Sequence, residues 1–105
     1  MKREYKLPYT IRYYSKRYDK HVIVEEGFES DGATGAFDIW SEAWWVHDKI
    51  CETGKWSDGT SVTNWQASTV LADILDSEQR YFRARYWWVM TWLLGCEKAR
   101  ENGMW

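Results

Sequence analysis

The sequence predicts an α+β fold, a small N-terminal antiparallel sheet packed on about three helices. Three observations carry that prediction. Tyr, Ile and Val are dense before residue 25, in YTIRYYS and HVIVEE, where β-branched and aromatic side chains suit a pleated, half-covered surface. From residue 65 onward apolar residues recur at intervals of three and four, the period of a helix face. A length of 105 residues supports one hydrophobic core and is too short for two, so the chain reads as a single domain, 1–105.

The sheet is expected from residues 1–26, as two strands over residues 9–13 and 21–24 joined by the charged turn KRYDK. Pro8, the only proline, suits a strand start or edge because it has no N–H to donate. His21 falls on a strand and is read as exposed. Residues 27–39, GFESDGATGAFDI, form a loop with tight turns at Asp31-Gly32 and Gly35. A first helix follows over about 41–53, capped by Ser41 and stopped by Thr53-Gly54. At helical spacing Ala43, Val46, His47, Ile50 and Cys51 share its apolar side, and Glu42, Lys49 and Glu52 point away.

A second loop with turn chemistry at Asp58-Gly59 leads to an N-cap at Thr63 or Asn64 and a helix over about 65–79. Ala67, Val70, Leu71, Ile74 and Leu75 make its buried stripe, with Asp73 beside them. The last helix, about 80–100, is apolar nearly all round at YWWVMTWLL, which predicts packing from several sides. Those nine residues cannot cross about 30 Å of hydrocarbon, so no membrane span is expected.

Charge is unevenly spread. Residues 1–20 hold seven Lys/Arg against two acids, 21–79 hold two against twelve, and 80–105 hold five against two. An acidic middle favours a bound cation and repels a phosphate backbone, so nucleic acid is not an expected partner. Nine Trp and seven Tyr are unusual for this length and are read as core, with any surplus at the surface forming a contact patch. Cys51 and Cys96 stand 45 residues apart with no CxxC, and are read as two reduced thiols. The N-terminus MKREYKLPYT has no apolar run of the signal-peptide kind, so no secretory signal is expected and a reducing cytosol is the expected setting.

His47-Asp48 is the candidate site. An imidazole titrates nearest neutrality and can divide its two nitrogens between a base role and an orienting hydrogen bond, and Asp73 on the next helix is a second carboxylate that can face the first helix. Three glycines within residues 27–35 leave backbone groups available, and Asp31 brings a carboxylate to them. The Gly32 and Gly35 backbone with the Asp31 carboxylate could therefore coordinate a hard divalent cation.

In order along the chain, Gly27-Phe28, Ser30-Asp31-Gly32-Ala33-Thr34, His47-Asp48 and Ala72-Asp73 resemble the pattern of an uncharacterised family of small phage and prophage proteins. The chain departs from that pattern in carrying Cys51 where the family has Tyr and Asp76 where an aromatic follows Ala-Asp, and in lacking the Pro after the (Ser/Thr)-Asp-x-Ala-(Ser/Thr) motif. A looser likeness is to the His-Asp helix pair of phospholipase A2. It implies His47 as base, Asp73 as its orienting acid, and Asp48 with the Gly32 and Gly35 backbone as a calcium site. The metal would polarise an ester carbonyl while the imidazole takes a proton from water.

An HD-type phosphohydrolase would use His21, His47, Asp48 and Asp73 as ligands, but that family draws them from helices and His21 lies in a strand-forming stretch. Two functions are therefore expected: a small phage-encoded, metal-assisted hydrolase acting on an ester or lipid-like substrate, or a non-enzymatic virion, assembly or host-interaction protein. In the second, His47, Asp31 and Asp73 form a structural polar network, and the partner is a phage structural or host protein.

Overall fold

The computed structural model describes residues 5–30 and 42–105. Among the described residues four short strands precede four helices: β1 (Tyr5–Lys6), β2 (Ile11–Ser15), β3 (Lys20–Val24), β4 (Glu29–Ser30), α1 (Glu42–Thr53), α2 (Asn64–Ser77), α3 (Tyr81–Leu94) and α4 (Glu97–Asn102). The fold is α+β, as the strand-rich start and the helical periodicity predict.

β2 and β3 form the expected antiparallel hairpin, with Ile11 opposite Val24 and Tyr13 opposite Val22. Alternation sends Ile11, Ser15, Val22 and Val24 inward, while Arg12, Tyr14, His21 and Ile23 face out. The turn closes through Asp19, whose backbone is left-handed and whose carboxylate accepts from the Tyr14 hydroxyl at 2.7 Å. β1 and β4 make a second antiparallel pair, continued by Leu7 N–H donating to Phe28 O. Pro8 lies in the bend between β1 and β2, not at a strand start.

α1 is the central element, packed against β2, β3, α2 and α4. Ala43, Val46, His47 and Ile50 are buried as their spacing predicts, and Trp44 and Trp45 are buried too, so α1 is covered on more than one side. The proposed Ser41 cap lies outside the described residues. α2 carries the predicted stripe fully inside, with Ala67, Val70, Leu71 and Leu75 inaccessible and Ile74 nearly so. Thr63 is its N-cap: the Gln66 N–H donates to the Thr63 hydroxyl and the Thr63 N–H donates to the Gln66 side chain, a reciprocal capping box. The next free donors, Asn64 N–H and Trp65 N–H, are taken by the carbonyls of Gly103 and Met104.

The single last helix expected over 80–100 is two. α3 ends at Gly95, which takes a left-handed conformation, and α4 restarts at Glu97. A side chain at residue 95 would meet Arg100 and would stand 3.1 Å from Asn64 Oδ1, so glycine is required twice over. Asn64 Nδ2 donates to the Trp92 carbonyl at the frayed end of α3. The break turns the chain back, and α4 lies against the end of α1, where Asn102 donates to the carbonyls of Gly54 and Val62.

Here the cysteine expectation fails. Cys51 on α1 and Cys96 at the start of α4 are joined in a disulfide, with Cα atoms 5.3 Å apart. Sequence spacing alone gave no reason to pair them. The turn at Gly95 brings them together.

Candidate functional site

His47 sits in the centre of α1 and is almost wholly buried. Its ring is edge-on to Trp44 at 6.1 Å, and its Nδ1 lies 3.7 Å from Cys51 Sγ, one helical turn ahead. A bridged sulfur has no proton to give, so the imidazole N–H is the donor in this weak contact. Removal from water disfavours the cation and pushes the His47 pKa down to about 4. The side chain is therefore neutral at pH 7.

Asp73 is elsewhere engaged. It lies on α2, and its two oxygens accept from Arg17 Nε and Nη2 at 2.9 Å each, a bidentate pair that ties the β2–β3 turn to the helix. The structure thus does not bring His47 and Asp73 into the hydrogen-bonded pair read from the sequence. Intervals of three and four had put Asp73 beside the buried stripe, and it is beside it, but on the side that faces the hairpin turn. Arg17, which recruits it, is separated from it by 56 positions and has no periodic signature.

Asp48 is half-buried on α1, next to His47 along the chain but on a different side of the helix. Asp31, Gly32 and Gly35 lie outside the described residues. Among the described residues no group of three or more His, Cys, Asp or Glu converges in a way that would hold a metal ion. His21 is exposed on β3 and stacks on Tyr14 at 4.9 Å, away from His47 on the outer sheet face.

The most open chemistry is on α3. Its inner side, Ala84 and Thr91, is buried, and Trp88 Nε1 donates to Thr69 of α2 at 3.1 Å. Its outer side carries Phe82, Tyr86, Val89 and Leu93, all exposed. α3 meets α2, Trp44 of α1 through Trp87, and the C-terminal Met104 and Trp105 through Trp92, so the packing from several sides expected of so apolar a helix is found except along this outer side. Hydrophobic density predicted burial all round because it cannot tell a core neighbour from one outside the chain. Eleven of the fourteen α3 residues are apolar, so no one face stands out in the sequence and the open stripe shows only in the fold.

At the end of α3, Trp65, Trp92 and Trp105 cluster with ring centres 5.1 to 6.2 Å apart, Trp65 and Trp92 edge to face and Trp105 tilted against both, and Trp105 remains exposed. Around the start of α3 a shallow depression is lined by Gln79, Arg80, Tyr81, Phe82, Arg83 and Arg85. Among the described residues no helix is long and apolar enough to cross a membrane.

These features define a class: a small α+β protein with a sealed histidine, a disulfide-pinned C-terminal turn and one open aromatic helix face. Comparison with family models, with curated proteins and with solved structures finds no match to this chain.

Proposed function

We propose that the chain is a non-enzymatic binding protein, of the virion, assembly or host-interaction kind suggested by its likeness in motif order to small phage and prophage proteins. The observation that carries this reading is the outer face of α3. Four apolar side chains held in a row on a rigid helix are costly to leave in water and are the usual form of a helix-recognition surface.

Support also comes from what His47 lacks. A general base works best with a pKa near the working pH and within reach of the proton it takes. His47 is held near 4 by burial and has a disulfide sulfur and an indole for neighbours. Its role on this reading is to fill the space between α1 and the Cys51–Cys96 bridge.

The metal-assisted hydrolase is the competing reading, and it needs Asp48 to join Asp31, Gly32 and Gly35 around a cation. Melting temperature is to be measured after chelation, and again with calcium, magnesium, manganese or zinc, for the wild type and for Asp48→Asn. The binding-protein reading expects no cation to raise the melting temperature in a way that Asp48→Asn abolishes. A cation at about a hundred times its Kd would add about 2.7 kcal/mol. Such a shift, lost in Asp48→Asn and accompanied by ester hydrolysis that is lost in His47→Gln, overturns the reading.

A further inference from the structure

The outer face of α3 raises the question of what covers it, and the arrangement of its side chains answers in favour of a second copy of this chain. Phe82 is 89% exposed, Tyr86 52%, Val89 55% and Leu93 57%, whereas Ala84 and Thr91, half a turn round, are buried. At 100° per residue the four exposed positions fall within one narrow stripe along the helix. No charged residue interrupts it.

We propose that two copies associate through α3 packed antiparallel on α3, a deepening of the binding-protein reading on which it rests. The intervals between the stripe residues are four, three and four, a sequence that reads the same in both directions. One antiparallel register therefore places Phe82 against the second copy's Leu93 and Tyr86 against its Val89, with the twofold axis passing between Trp87 and Trp88. A surface that matches itself under a twofold rotation is what a closed homodimer requires. The four-three spacing is also that of the seam by which paired helices interlock.

Charge selects the direction. α3 holds Arg83 and Arg85 in its first half and no acid anywhere. A parallel pair would set these arginines, and the positive ends of both helix dipoles, side by side. Reversal moves each pair of arginines beside the uncharged half of the other helix. It also carries the exposed Glu97, which opens α4, toward the depression lined by Arg80, Arg83 and Arg85.

Phe82 is almost wholly open and Tyr86, Val89 and Leu93 are each more than half so, and with large aromatics offering about 150–250 Å² each the four side chains present on the order of 500 Å² per copy. Two copies would bury on the order of 1,000 Å², about what a specific interface must clear.

Sedimentation equilibrium over a dilution series of the full chain tests this. The wild type is expected at twice the 12.6 kDa chain mass and Val89→Arg at the single mass. Val89 is more than half exposed on the outer side of α3, so the variant should keep the wild-type far-UV spectrum, which separates loss of the dimer from loss of the fold. Register is read by mixing Phe82→Cys protein with Leu93→Cys protein under mild oxidation. The mixture should yield a covalent heterodimer and Phe82→Cys alone should not.

A wild type that stays monomeric at every concentration overturns the dimer, as does a dimer that survives Val89→Arg or cross-linking of Phe82→Cys to itself. A monomer that instead co-sediments with anionic phosphatidylserine vesicles overturns it in favour of a membrane surface. Each of these leaves the non-enzymatic reading standing. That reading falls only to the cation-dependent, His47-dependent hydrolysis described above.

Discussion

His47 shows how burial sets chemistry. Its folded pKa of about 4 lies below the ordinary value of 6.5, so between these limits the unfolded chain binds a proton that the folded chain refuses. Stability is therefore full above about pH 6.5, falls as pH drops through the window, and loses no more from this group below about pH 4. A difference of that size corresponds to on the order of 3 kcal/mol. Urea denaturation of the wild type across pH 4 to 7 should show the loss. His47→Gln should remove that part of the slope, and an unchanged slope would show that His47 is not sealed. Asp73 sits in a more open setting. Its pairing with Arg17 is bidentate but half in solvent, so Asp73→Asn should cost no more than about 1 kcal/mol in thermal or chemical melts. In NMR titrations the His47 ring resonances should be unmoved by that change, and a shift of the His47 titration would restore the pairing expected from the sequence.

Gly95 decides the shape of the C-terminal third. A residue with a positive φ at the end of a helix frees the chain to reverse, and the reversal places α4 against α1 and the 103–104 backbone over the first turn of α2. Gly95→Ala adds a Cβ in a left-handed conformation and pushes it against Asn64 and Arg100. A loss of about 1–2 kcal/mol is expected from the backbone alone. Because Asn64 holds the Trp92 carbonyl, hydrogen exchange should quicken at the end of α3 and the start of α2 together. Exchange that quickens in α4 alone would mean the glycine serves only its own turn.

At the scale of the molecule, the Cys51–Cys96 bridge closes a loop spanning a separation of 45 residues. Removing that loop-closure entropy from the unfolded chain stabilises the fold by about 4 kcal/mol on the chain-entropy account. Reductant, or Cys96→Ser, should lower the denaturation midpoint accordingly while leaving α2 and α3 helical. Thiol titration of the denatured, unreduced protein should find no free group, and finding two would return the cysteines to the reduced state first expected. Because Cys51 also touches the His47 ring, reduction should raise the His47 pKa if the bridge's loss admits water.

Local chemistry was legible because it is written in neighbours along the chain. The β2–β3 hairpin follows from alternating Tyr, Ile and Val around a charged turn, the start of α2 from the capping residue Thr63, and the inner stripe of α2 from intervals of three and four. Burial of His47 was also readable, since Ala43, Val46 and Ile50 share its face. Tertiary structure decided what depends on residues far apart in sequence. It gave Asp73 to Arg17, joined Cys51 to Cys96, broke the last helix at Gly95 and left one side of α3 open. A periodic pattern states which face a residue occupies, but what lies opposite that face depends on how the elements dock, and docking is fixed by packing across the whole core.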